Sequence, residues 1–185
     1  KSAYDKGIAN GYLIGNVELI KSIANEIALD LNGFELINIL DLTEASLKAV
    51  ELVSTGKADL VMKGLVDTSI ILKAVLNKEV GLRTGNVLSH VAVFDVPTYH
   101  KILLVTDAAM NIAPDVHTKK QIIENTLSVT RALHIDMPNV GVIAAKEKVT
   151  ESMIATVDAG ELVKMNKEGL ITGCKVGGPF ALDNA

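Results

Sequence analysis

Apolar positions along the chain switch between two spacings. Leu19, Ile20, Ile23, Ala24, Ile27, Ala28 and Leu31 recur at the 3.6-residue period of a helix face, and Asn32-Gly33 stops them. Short continuous apolar runs at Tyr12–Ile14, Leu36–Leu40 and Leu60–Met62 predict buried strands. Between the last two lies a helix with Leu47, Val50 and Val53 inward, capped by Asp41 or Thr43 and ended by Gly56. Strand, helix, strand, helix, strand predicts a parallel sheet covered on both faces, with ligands beyond the carboxyl ends of the strands. Lys63-Gly64 lies at such an end.

Further along, Asp67 or Thr68 caps a helix that turns Ile70, Ile71, Ala74 and Val75 inward, and Asn77 to Gly85 is a basic loop. Val87–Val96 and Lys101–Thr106 then predict an antiparallel hairpin. The change from crossover units to a hairpin places a domain junction near Asn77 to Asn86. Asp115 caps a long helix to about Leu133, Val140–Ala144 is a strand, Thr156–Lys167 a helix and Leu170–Val176 a strand. Gly177-Gly178-Pro179 reads as a tight turn, and Leu182 to Ala185 as the start of a helix. Before it all, Ser2–Ala9 reads as the tail of a helix.

Composition narrows the class. A formal net charge of −4 argues against broad nucleic-acid binding, and the absence of tryptophan argues against base-stacking platforms. No apolar run approaches the roughly 20 residues of a membrane span. A single cysteine, Cys174, excludes an internal disulfide and fits a reducing cytoplasm. The chain starts at Lys1 without a methionine and reaches Ala185 as a new segment begins, so a longer polypeptide is expected.

The chemistry concentrates between Val61 and Pro97, where Lys63, Lys73, Lys78, Arg83, Ser89 and His90 sit around backbone able to turn tightly. Lys63-Gly64 precedes a helix N-terminus with free N–H groups, and Gly81-Leu82-Arg83-Thr84-Gly85 sets an arginine between glycines; both suit an anion, and both also suit an ordinary surface turn. No Walker loop, G-x-G-x-x-G or G-x-S-x-G is present. Ser89 and His90, adjacent on a strand, face opposite sides and are not a nucleophile–base pair. His90 reads as a core histidine; His100, His117 and His134 lack metal-ligand spacing. Cys174 reads as a small hydrophobe. Asp107 and Asn111 follow a strand end and suit a cleft lining, as does Gly177-Gly178-Pro179 with Asp183.

Five stretches resemble the phosphate acetyl/butyryl transferase family: A-D-L-V-M-K-G-L-V-D-T from Ala58, G-L-R-T-G-N-V-L-S-H-V-A-V-F-D from Gly81, L-L-V-T-D-A-A-M-N-I-A-P from Leu103, A-T-V-D-A from Ala155 and G-P-F-A-L-D-N-A from Gly178. They come in the family's order, and the G-L-R-T-G-x-x-L-S-H form resembles its butyryl branch. The resemblance implies two α/β domains across a cleft, akin to isocitrate and isopropylmalate dehydrogenases, with residues 1–79 in the first domain and 80–185 in the second. Both would be incomplete, because family chains continue past Ala185, and that C-terminal segment completes the first domain and carries catalytic residues. A chain truly ending at Ala185 is expected to have little or no activity.

The implied reaction is reversible transfer of a short acyl group, butyryl or branched, between coenzyme A and inorganic phosphate. Expected partners are acyl-CoA, phosphate and a second copy in a homodimer or higher homo-oligomer, with no nucleic acid, membrane, metal or separate cofactor. On the residues that match, Lys63, Gly64, Thr68, Ser69, Arg83 and Ser89 are expected to bind phosphate or acyl phosphate. Lys73, His90, Asp107, Asn111, Pro179 and Asp183 are expected along the cleft; the family often has arginine where this chain has Lys73. Direct attack in a ternary complex fits better than an acyl-enzyme, since no activated nucleophile is evident. Competing readings are a phosphate acetyltransferase, a non-catalytic acyl-CoA or acyl-phosphate binding protein, and an NAD(P)-dependent hydroxyacid dehydrogenase, which would need a dinucleotide loop and metal-binding aspartates not found here.

Overall fold

The computed structural model describes residues 1–184. It is a mixed α/β fold in two compact units, Lys1–Gly85 and Asn86–Ala185.

The first unit runs α1 (Ser2–Asp5), β1 (Gly11–Gly15), α2 (Val17–Glu26), β2 (Phe34–Asn38), α3 (Leu42–Ser54) and α4 (Thr68–Val75). Strands β1 and β2 pair in parallel from Gly11 opposite Phe34 to Gly15 opposite Asn38. Side chains satisfy the helix starts. Asn16 Oδ1 accepts from Leu19 N–H at 3.0 Å and Asn38 Oδ1 from Val17 N–H at 3.1 Å. Asp41 accepts from Thr43 and Glu44 N–H, both at 2.9 Å, so it is the cap of α3. Val50 on α3 is fully buried, and α3 packs against α4 and β1.

Two expectations fail here, each for a local reason. Helix α2 stops at Glu26 rather than Leu31, because Ala28 takes a left-handed φ of 52° and Asn32 N–H turns back to Asp30 Oδ1. Leu60–Met62 is not a strand. It has no pairing neighbour among the described residues, and Met62 is 85% exposed. An extended segment becomes a strand only when its N–H and C=O groups meet another backbone.

The second unit runs β3 (Ala92–Phe94), β4 (Leu103–Val105), α5 (Val116–Ala132), β5 (Asn139–Ile143), α6 (Ile154–Lys167) and β6 (Lys175–Phe180), then a 3₁₀ turn at Leu182–Asn184. Strands β3 and β4 form the expected antiparallel hairpin, shorter than predicted. Strands β5 and β6 pair in parallel around the α6 crossover. Ile123 and Leu127 of α5 meet Leu162 and Met165 of α6 in a core closed by Ile171 and Cys174. The Lys119–Asp158 ion pair at 2.5 Å joins the two helices.

Gly177-Gly178-Pro179 is not a turn but lies within β6, with a cis Gly178–Pro179 bond and Pro179 buried. The turn lies earlier, over Gly169–Gly173. It is fastened by Asn166, whose Nδ2 donates to Ile171 and Cys174 carbonyls and whose Oδ1 accepts from Val176 N–H. Of the helix expected from Leu182 to Ala185, the 3₁₀ turn is seen and Ala185 lies outside the described residues.

Candidate functional site

In the first unit the candidate residues follow the extended segment into α4. The Lys63 ammonium donates to the carbonyls of Val66 at 3.0 Å and Gly64 at 3.4 Å, which holds the turn before the helix. Asp67 occupies the cap position without a side-chain hydrogen bond. The first-turn N–H groups of Thr68 and Ser69 therefore have no partner among the described residues, and both residues are exposed. A Cβ added at Gly64 would meet nothing within 4 Å. The fold does not need a glycine there, but a close ligand would.

Arg83 lies past the other end of α4. Leu82 N–H donates to Val75 O at 2.8 Å, and Asn77 Oδ1 accepts from Glu79 and Val80 N–H. These bonds coil the loop so tightly that a Cβ on Gly81 would lie 2.2 Å from Asn77 O. Arg83 is exposed, with no hydrogen bond or ion pair among the described residues, and so is Lys73 on α4. The Lys63–Ser69 turn and the Arg83 loop thus flank opposite ends of an eight-residue helix, about 12 Å long. A concave surface of this unit, lined by Ile39, Glu44, Lys48, Glu51 and Val80 among others, contains none of these basic residues.

In the second unit Ser89, His90, Asp107 and Asn111 come together. Asp107 accepts from Ala109 and Met110 N–H, both at 2.9 Å, and from Asn111 Nδ2 at 2.6 Å. Asn111 Nδ2 also donates to Leu88 O, and Thr106 Oγ1 to His90 O. His90 Nδ1 is buried without a hydrogen-bond partner among the described residues. Two residues of α5 that the pattern reading passed over complete the group. Gln121 Oε1 accepts from Val87 N–H at 2.9 Å, and Asn125 Nδ2 donates to Val87 O at 2.8 Å and Ser89 Oγ at 2.9 Å. Their spacing of four puts both on one helix face, which was the available signal. Pro179 is buried in β6, and Asp183 is exposed on the 3₁₀ turn; neither bonds to this group.

Burial pushes the Asp107 carboxyl up, but hydrogen bonds from Ala109, Met110, Asn111 and the His90 backbone outweigh it and hold the group at about 2, against an ordinary 3.8. A carboxyl whose folded value is depressed stabilises fully above its unfolded value, and that stability is lost as pH falls through 3.8 towards 2. Allowing for its partial exposure, about 1 kcal/mol is at stake. Asp107→Asn is therefore expected to cost most above pH 5, with the gap in thermal midpoint to wild type closing between pH 4 and 2. A gap independent of pH would rule this out.

Burial, aided by the Glu124 carboxylate, pushes the Cys174 thiol up, which disfavours the thiolate a nucleophile requires. Among the described residues no cluster of three or more His, Cys, Asp or Glu is arranged to hold a metal ion, and no helix is long and apolar enough to cross a membrane.

Residues 41–185 match the family model for phosphate acetyl/butaryl transferase. The chain belongs to this family. Within the phosphate acetyl/butaryl transferase family it is 50% identical, over its whole length, to phosphate butyryltransferase of Clostridium beijerinckii, of which it spans 61%. It is 37% identical, over 99% of its length, to phosphate acetyltransferase of Rhizobium meliloti, of which it spans 58%. In structure it is similar to a branched-chain phosphotransacylase from Enterococcus faecalis V583, with a TM-score of 0.77 and 28% identity, covering 95% of this chain and 70% of that one. The chain thus spans between half and about three fifths of the length of the curated relatives it matches.

Proposed function

We propose that the protein is an acyltransferase that moves a short acyl group, butyryl or branched, reversibly between coenzyme A and inorganic phosphate. The observation that carries this reading is the 50% identity over the whole chain to a phosphate butyryltransferase, against 37% to a phosphate acetyltransferase. In the forward direction a phosphate oxygen attacks the thioester carbonyl, the carbonyl becomes an oxyanion, the C–S bond breaks and coenzyme A leaves as thiolate, giving acyl phosphate. Thiolate is a fair leaving group, so the reaction asks mainly for anion binding, orientation and oxyanion stabilisation. It needs no group beyond its two substrates.

Lys63, Arg83 and Ser89 would hold the phosphate or acyl phosphate, with N–H groups from Gly64, Thr68 and Ser69. Support comes from the Arg83 guanidinium and the Thr68 and Ser69 amides at the start of α4, none of which has a partner among the described residues. Coenzyme A is itself phosphorylated, so anion-binding groups at both ends of α4 have something to meet. Asp107, Asn111, Pro179 and Asp183 are assigned to acyl or pantetheine contact, and Lys73 and His90 to the cleft without a specified contact. The active protein is proposed to be a cytoplasmic homodimer or higher homo-oligomer.

The test mixes the full-length protein with butyryl-CoA and follows free thiol. Release that depends on phosphate supports transfer; binding without release points instead to an acyl-CoA or acyl-phosphate sensor and refutes it. Arsenate in place of phosphate should give net thioester hydrolysis, because acyl arsenates break down in water. Rates with acetyl-, butyryl-, isobutyryl- and isovaleryl-CoA separate the butyryl from the acetyl reading, one methylene being worth about 10- to 200-fold.

Gly64→Ala separates ligand approach from folding. Since an added Cβ meets no protein atom within 4 Å, the thermal midpoint should stay within about 0.5 kcal/mol of wild type in stability terms. Turnover should nevertheless fall about tenfold if a substrate anion lies against this backbone. Unaltered turnover would remove Gly64 from the site.

A further inference from the structure

We infer that Asn125 is a positioning residue that fixes the Ser89 hydroxyl as a hydrogen-bond donor to the substrate phosphate, an inference that rests on the acyl-transfer reading. The orientation of the Asn125 amide follows from its neighbours. The Val87 carbonyl can only accept, so the atom 2.8 Å from it must be the amide NH₂. That same NH₂ meets Ser89 Oγ at 2.9 Å, so both of its hydrogens are committed. Ser89 Oγ therefore accepts from Asn125. Its own proton, which has no acceptor among the described residues, remains available as a donor.

The surrounding backbone keeps this polarity fixed. Val87 N–H is tied to Gln121 Oε1 on the same face of α5, and Leu88 O to Asn111 Nδ2 from the loop after β4. Three consecutive residues, Val87 to Ser89, are thus held by α5 on one side and by the Asp107–Asn111 loop on the other. Ser89 is half-buried, so its hydroxyl is constrained without being sealed off. A fixed donor with no acceptor among the described residues suits an anion; had a carboxylate stood at position 125, the hydroxyl would turn towards it and offer only lone pairs.

The experiment uses the full-length protein and phosphate-dependent thiol release from butyryl-CoA, with wild type, Ser89→Ala, Asn125→Asp, Asn125→Ala and the double variant Ser89→Ala/Asn125→Asp. Ser89→Ala should raise the KM for phosphate about 10- to 100-fold, the range of one hydrogen bond to a charged group. Asn125→Asp should match or exceed it, and Asn125→Ala should fall between Asn125→Asp and wild type. The KM for butyryl-CoA should move much less in all of them. The double variant should be no worse than Ser89→Ala alone, because Asn125 acts through a hydroxyl that is already gone. Far-UV thermal melts identify variants that are unfolded at the assay temperature, and Asn125→Ala serves where Asn125→Asp is one of them. Losses that multiply in the double variant, equal changes in both KM values, or unchanged kinetics would each overturn the inference while leaving the transferase reading intact. No phosphate-dependent release from wild type would overturn both.

Discussion

Arg83→Ala in the full-length protein should lower kcat/KM for phosphate about 100-fold or more, with the KM for phosphate rising and kcat falling, and should leave folding stability almost unchanged. The two halves of that expectation have separate causes. Arg83 is exposed, with no hydrogen bond or ion pair among the described residues, so its removal costs the fold nothing beyond the ~0.5 kcal/mol scatter of surface substitutions. The kinetic loss follows from the chemistry. A guanidinium grips a phosphate with two parallel hydrogen bonds and offsets its charge where the nucleophile must approach an electron-rich carbonyl. Arg83→Lys keeps the charge and loses the fork, so it should recover only part of the loss. Steady-state kinetics in phosphate at saturating butyryl-CoA, with a thermal melt alongside, reads both. Full activity in Arg83→Ala would take Arg83 out of the site, and a matching fall in the thermal midpoint would make its role structural.

What the residues disclosed about this fold was what is decided within a few positions of the chain. Asp41 and Asp115 are legible as caps because a carboxylate satisfies amides two or three residues ahead, and both do so here. The β3–β4 hairpin is legible because its strands are neighbours in sequence. Leu60–Met62 misled because apolar character says that a segment seeks burial, not that a partner strand lies beside it. The same limit governs the site. Lys63, Gly64, Thr68 and Ser69 lie within seven residues, so their proximity is legible without the fold. Asn125 stands 36 residues from the serine it contacts, and only the tertiary structure brings them within hydrogen-bond reach. Gln121 and Asn125 leave a faint mark in the sequence, a polar pair four apart on the helix that also carries Ile122, Ile123 and Leu127 inward. Gly177-Gly178-Pro179 misleads differently: residue types that suit chain reversal also suit a strand that neighbouring backbone approaches closely.

That requirement predicts a large structural effect in β6. Gly178→Ala should destabilise the protein by about 3 kcal/mol or more. Gly178 has a φ of 139°, where side chains are strained by roughly 1–3 kcal/mol. A Cβ there would also stand 2.8 Å from Val142 O and 3.1 Å from Val142 Cβ, on the paired strand β5. Neither contact is with the free end of a side chain, so relief means moving β6 away from β5. That weakens a parallel ladder directly beside the core formed by Leu162, Met165 and Ile171. For a chain of this size, 3 kcal/mol corresponds to a fall of about 6–12 °C in thermal midpoint. Gly169→Ala provides the comparison. Gly169 also has a positive φ, 76°, but an added Cβ meets nothing within 4 Å, so its cost is conformational alone, about 1 kcal/mol. The difference between the two melts reports the inter-strand contact together with the harsher backbone conformation at position 178. Equal losses would mean that backbone conformation, not the approach of β6 to Val142, is what calls for glycine at position 178.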